Sequence, residues 1–222
     1  MSKNAVLLGA SGLIGGQLLP LLLASDAYLQ VTILVRSTLH INHPKLKEVI
    51  VDFENRNQLI DAIPDNPVVF CCVGTTRKKV KGDMNAYRKV DFDIPVTIGQ
   101  LASEKNANTY LLVSAVGADA NSGNFYLKLK GETELALRNL QFPSLYLFRP
   151  SLLLGNRSES RMGESIAQKI MGPLSFLFSG KYSIYKAIEA KDVANAMYNA
   201  SLLSAPGTTE CYWKEMMDLI EL

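Results

Sequence analysis

The chain has 222 residues, enough to bury one full core, and its 48% hydrophobic and 20% charged residues are the composition of a folded globular protein. Its 23 basic side chains against 21 acidic leave a net charge of +2, a balance that implies neither a nucleic-acid partner nor an anionic membrane. The three cysteines, at 71, 72 and 211, form neither metal-ligand spacing nor an even disulfide framework, so the expectation is a single cytoplasmic domain over 1–222 without a metal site.

The first stretch, MSKNAVLLGASGLIGGQLLPLLLASDA, carries no ionisable side chain between Asn4 and Asp26. Lys3, the leucines and the small residues at Ala24–Ala27 roughly copy an export signal. Gly9, Gly12, Gly15, Gly16 and Pro20 argue against it, because each such glycine weakens a continuous apolar helix by roughly 1 kcal/mol relative to Ala. Strand Asn4–Leu8, a turn at Gly9–Gly12 and helix Leu13–Ala24 account for the same residues better. The spacing G-x-x-G-x-x-G then lets a backbone turn tightly at the positive end of a helix, where a pyrophosphate binds. With this reassignment, no run of 18 or more apolar residues remains to span a bilayer.

Further along, short apolar runs at Val31–Val35, Glu48–Asp52, Val68–Val73, Tyr110–Ser114 and Leu145–Phe148 predict strands. Apolar spacings of three and four predict helices over Asn57–Ile63, Phe92–Glu104 and Tyr126–Leu140. Strands apolar on both faces, alternating with helices, describe a doubly wound α/β fold, a parallel sheet covered on both sides. Arg36 closes the second strand, where an arginine meets a ribose 2′-phosphate and an acidic residue would instead select NAD(H). Cys71 and Cys72 read as small buried strand residues, a redox switch being the minor alternative; His40 and His43 read as surface residues of a polar loop.

After Pro150 the rhythm changes. A polar stretch at Gly155–Gly163, apolar Ile166–Phe178 and a helix over Lys191–Leu203 make residues 151–222 the expected cover over the crevice beyond the strand ends. The apolar lining from Leu152 to Phe178 suggests a small, largely uncharged substrate. Arg157 and Arg161 are expected to close the polar stretch over cofactor phosphates.

Tyr126 and Lys130 stand four apart on one helical face, and Ser114 ends the preceding strand. Carbonyl reduction needs a proton donor at neutral pH. A lysine ammonium beside a tyrosine favours the phenolate and brings the phenol toward the working range. Ser114 would then hold the substrate oxygen.

GASGLIG, VTILVR, VDFE, FCCVGTTR, VSAVGADANSGNFYLKLKGETE and FRPSLLLGNRSESRMGE together resemble the short-chain dehydrogenases/reductases, within an atypical branch that includes the Tat-interacting-protein-like group. The resemblance implies an SDR-type Rossmann fold, an NADPH-dependent oxidoreductase and catalysis by Ser114, Tyr126 and Lys130. It implies cofactor contacts from Gly9, Ser11, Gly12, Leu13, Ile14 and Gly15 on the first turn, and from Arg36 and Ser37 after the second strand. Asp52 and Phe53 would flank the adenine, Val73 and Gly74 would line the cofactor, and Tyr126, Lys130, Pro150, Leu153 and Arg161 would complete the site. NADP(H) is expected in preference to NAD(H). The asparagine that often completes the catalytic set has no evident counterpart. Regulatory animal members carry residues ahead of the first strand that this chain lacks, so partner binding through such an extension is not expected to carry over. A small-molecule substrate is the expected partner, with a weak homodimer or a protein partner left open; the alternative function is an NADPH-binding regulatory or redox-sensing module.

Overall fold

Every side chain from Ala5 to Leu8 is buried, with Ala5 and Leu7 entering one apolar cluster and Val6 and Leu8 the other. A strand apolar on both faces belongs at the centre of a sheet covered on both sides. In the computed structural model, which describes residues 3–155 and 180–222, this strand is β1 (Lys3–Leu8), flanked by β2 (Tyr28–Val35) and β4 (Pro67–Cys71). The seven-stranded sheet has the order β3-β2-β1-β4-β5-β6-β9, with β3 at Leu46–Ile50, β5 at Thr109–Val113, β6 at Ser144–Phe148 and β9 at Gly207–Cys211. All its neighbouring strands pair in parallel. A second, two-stranded parallel sheet joins β7 (Leu153–Leu154) to β8 (Ile188–Glu189).

The helices divide between the faces. On one side, α1 (Gly15–Ala24), α6 (Ala190–Leu203) and α7 (Trp213–Ile220) contribute Leu18, Leu22, Val193, Met197 and Met216 to the core. On the other, α2 (Arg56–Ala62), α4 (Ile94–Glu104) and α5 (Phe125–Asn139) contribute Leu59, Ile98, Leu101 and Leu137. Each such fully buried leucine or valine is worth about 2 kcal/mol relative to exposure. A short helix, α3 (Met84–Arg88), precedes α4, separated from it by a single π-helical turn at Lys89–Asp93.

The βα alternation read from the sequence is present, with displaced boundaries. β3 lies two residues earlier than Glu48–Asp52, because Leu46 to Ile50 register against Val31 to Val35. The helix expected to begin at Phe92 is preceded by α3, started by Asp83, whose carboxylate accepts from the N–H groups of Asn85 and Ala86 at 2.8 and 3.0 Å. The chain after residue 190 does more than cover a crevice, since β9 extends the main sheet and α6 and α7 pack against the face that carries α1.

Candidate active site

The first turn leaves β1 at Gly9, whose φ of +79° favours glycine, and closes with the Gly12 N–H donating to the Gly9 carbonyl at 2.8 Å. A Cβ at Gly9 would lie 2.7 Å from the Cys72 carbonyl carbon, and one at Gly15 only 2.1 Å from the Gly9 oxygen, so neither position admits a side chain. Ile14 then caps α1 without any side-chain hydrogen bond, and the first helical turn has no acidic residue. Ser11 and Gly12 are exposed, Leu13 is half-buried, and Ile14 and Gly15 are buried. A helix start with no protein anion of its own fits a pyrophosphate.

The neighbouring strands end beside it. Arg36 and Ser37 are exposed directly after β2, and Asp52 is exposed just past β3, where Gln58 accepts from its N–H at 2.9 Å. Phe53 and Val73 are half-buried against the core, while Gly74 is exposed. From the far side, Leu153 packs on the α1 face, and the Cβ position of Gly155 lies 3.0 Å from the Leu13 side chain, which brings that turn against the first. Arg157, Arg161 and the apolar run Ile166–Phe178 lie outside the described residues.

Tyr126 sits in the first turn of α5, where Asn124 caps the helix by accepting from the N–H groups of Tyr126 and Leu127 at 2.9 and 3.2 Å. It lines a cavity of about 350 Å³ together with Thr76, Arg77, Ala115, Val116 and Pro150. One turn deeper Lys130 is buried, its Nζ 3.1 Å from Asp91 Oδ1 and 3.4 Å from the Val113 carbonyl. Gly131 permits this depth, since a Cβ there would stand 2.2 Å from the backbone of Asp119 and Ala120.

Asp91 is the residue that sequence reasoning missed. Pro95, in the first turn of α4, has no N–H to offer the Asp91 carbonyl four residues back. The chain widens there, with Ile94 N–H bonding Lys89 O, and the Thr133 hydroxyl of α5 shares its hydrogen between the Leu129 carbonyl at 2.8 Å and the Asp91 carbonyl at 3.0 Å. The Asp91 carboxylate is left facing Lys130 through Oδ1 and accepts from the Thr75 N–H through Oδ2 at 2.8 Å. One carboxylate thus ties α5 to the loop after β4. Burial alone would lower the pKa of Lys130, but Asp91, with Tyr126 adding to it, outweighs burial and holds the ammonium above the ordinary lysine range. A proline four residues after an acidic residue was the available signal; the separation of 39 positions from Asp91 to Lys130 hid their pairing.

Ser114 directly follows β5, and its hydroxyl donates to the buried Glu134 carboxylate, which also pairs with Arg149; the described cavity lining includes its neighbours Ala115 and Val116. Arg149 Nη1 continues to Glu210 at 2.8 Å and to the Tyr212 hydroxyl at 2.5 Å, tying the ends of β5 and β6 to β9. Pro150, next to Arg149, is buried and lines the cavity. Burial pushes the Cys71 thiol up and that of Cys211 up to about 12, which leaves neither as a thiolate near neutral pH. Among the described residues no cluster of His, Cys, Asp and Glu could hold a metal ion, and no helix is long and apolar enough to cross a membrane.

The sequence profile of a family described as NAD(P)H-binding matches residues 9–142. The chain is 34% identical to Protein HTATIP2 of Rattus norvegicus over 223 residues, covering 99% of this chain and 86% of that one. It is 32% identical to "Protein fmp52, mitochondrial" of Aspergillus clavatus over 210 residues, 92% of this chain and 89% of the relative. Among solved structures, the Bordetella bronchiseptica enzyme WbmH in complex with NAD+ superposes with a TM-score of 0.69 at 18% identity, covering 96% of this chain and 76% of that one. A UDP-N-acetylglucosamine 4-epimerase from Methanobrevibacter ruminantium gives 0.67 at 15% identity, with coverage of 95% and 76%. At such identities the structures speak for the Rossmann-like fold alone.

Proposed function

Because the chain belongs to the NAD(P)H-binding family, we propose that it is an NADPH-dependent oxidoreductase of the short-chain dehydrogenase/reductase type, interconverting a small carbonyl compound and its alcohol. The observation that carries this reading is the pairing of Tyr126, at the cavity wall, with a lysine one turn deeper whose charge Asp91 fixes. A bound nicotinamide would supply or accept the hydride.

The chain's own residues supply the rest. Tyr126 gives its proton to the substrate oxygen as negative charge develops there. The Lys130 ammonium favours the phenolate left behind. Of its three N–H donors, two are taken by Asp91 and Val113, which leaves one for the cofactor ribose or the phenol. The first-turn N–H groups would hold the pyrophosphate, and Arg36, exposed directly after β2, supports NADPH over NADH. In this reading Ser114 acts through Glu134, holding the end of β5 against β6 and Pro150.

Tyr126→Phe tests the assignment. Turnover of an aldehyde should fall at least about a hundredfold while NADPH affinity survives. Lys130→Met should damage both. A Tyr126→Phe protein as active as wild type would remove the catalytic assignment and leave an NADPH-binding module.

A further inference from the structure

The cavity beside Tyr126 contains one charged residue among its described lining, Arg77. The other polar side chains there are engaged within the protein: the Tyr87 hydroxyl donates to the Thr75 carbonyl at 3.1 Å, the Ser151 hydroxyl donates to the Lys186 carbonyl, and the Thr76 hydroxyl accepts from the Lys79 N–H at 3.2 Å. Arg77 has no ion pair or side-chain hydrogen bond among the described residues. A guanidinium presents five donors in a planar fork and stays charged throughout the working pH range. Its backbone belongs to a hydrogen-bonded turn: Val80 N–H bonds Thr76 O at 3.2 Å, Gly82 N–H bonds Arg77 O at 2.9 Å, and Asp83 N–H bonds Val80 O at 2.9 Å. Asp91 anchors the start of the same loop through the Thr75 N–H. Exposed Lys78 and Lys81 follow on the turn, adding charge of the same sign.

We infer that the substrate carries a negatively charged group, a carboxylate or its equivalent, which Arg77 binds while the carbonyl faces Tyr126. This deepens the proposed function and rests on it for the position of the reacting carbonyl. It replaces the uncharged substrate expected from Leu152–Phe178, a run that lies mostly outside the described residues. An unpaired cation on a fixed turn, in a cavity whose described lining has no acidic side chain, favours an anion over a neutral isostere, and a charge-assisted bidentate contact is the strongest such preference available.

The test uses 3- and 4-carboxybenzaldehyde, each against its methyl ester, with the purified full-length protein and saturating NADPH. At least one acid should exceed its ester about tenfold in kcat/KM, with most of the difference in KM, and Arg77→Met should abolish the preference while Arg77→Lys keeps part of it. An equal response to acid and ester, or a preference that survives Arg77→Met, overturns the inference. If no aldehyde is turned over, carbonyl reduction fails rather than the anion site. Calorimetry with 3- and 4-(hydroxymethyl)benzoate on the NADP+-saturated protein then decides: at least one should bind about tenfold tighter than its methyl ester, and that advantage should vanish in Arg77→Met, whereas equal binding of acid and ester refutes the site. An Arg77→Met protein that loses NADPH affinity but keeps the acid preference would assign Arg77 to the cofactor and likewise overturn the inference.

Discussion

Replacing Asp91 by Asn keeps a side-chain oxygen for the Thr75 N–H but removes the counter-charge of Lys130. The two charged groups lie 3.1 Å apart with side chains 1% and 5% exposed. At an effective dielectric of about 20, unit charges at that separation attract by roughly 5 kcal/mol, and breaking one partner of a buried pair typically costs about 3–5 kcal/mol. Asp91→Asn should therefore unfold in urea with about 3–5 kcal/mol less stability at pH 7, or melt roughly 6–20 °C lower. The pH dependence carries the sign. In the wild type the folded pKa of Lys130 is raised, so its stabilisation is complete below about pH 10 and fades as pH climbs through the folded value. In the variant burial, the largest influence on Lys130, loses its main opponent, and the folded pKa is expected to fall below the unfolded one. Stability of the variant then rises with pH between those two values, and its deficit narrows in alkaline buffer. Urea titrations of both proteins at pH 7 and pH 9.5 measure this. A deficit under about 1 kcal/mol at pH 7, or one that does not change with pH, would refute the claim that Asp91 fixes the charge of Lys130.

The other predictions follow from single contacts. NADPH should bind at least about tenfold tighter than NADH, a difference of roughly 1.4 kcal/mol, and Arg36→Glu should narrow or reverse that gap by calorimetry; equal affinities in the wild type would remove Arg36 from cofactor selection. Gly131→Ala places a Cβ 2.2 Å from the Asp119 and Ala120 backbone, so α5 must shift, with a stability loss of about 1–3 kcal/mol and a fall in turnover as Tyr126 and Lys130 move together. Unaltered melting and activity would show that the helix does not depend on this contact. Ser114→Ala should lower turnover by less than about tenfold, because its hydroxyl serves Glu134, which keeps Arg149 as a partner; a loss approaching a hundredfold would return Ser114 to the substrate oxygen.

Much of this site could be read along the chain because the fold places it at strand ends. Gly9, Gly12 and Gly15 announce a turn through their spacing, and Arg36 announces a strand end because a charge stops an apolar run. Tyr126 and Lys130 are legible together through the pitch of a helix. What escaped detection depends on packing between distant segments. Asp91 looks like a solvated residue of a charged stretch, KVDFD, until Pro95 denies its carbonyl a donor and α5 comes to rest beside it. Ser114 reads as the end of a strand, and its bond to Glu134, twenty positions on, forms only when α5 packs beside that strand. β9 was missed because an edge strand has one neighbour and needs no continuous apolar run; Gly207-Thr208-Thr209-Glu210-Cys211 buries only its last residue fully. Arg77 belongs to a loop whose sequence, TTRKKVKGD, reads as ordinary surface charge, and only the cavity gives it a direction.

The most direct test of the central claim follows the hydrogen itself. The protein is incubated with NADPH deuterated at the transferable position of the nicotinamide and with 3- or 4-carboxybenzaldehyde, and the alcohol product is examined by mass spectrometry. The wild type should give an alcohol with one deuterium on its carbinol carbon, and Tyr126→Phe at least about a hundredfold less of it under the same conditions. Product without deuterium, or no alcohol from a wild-type protein shown by calorimetry to be saturated with NADPH, would contradict the claim.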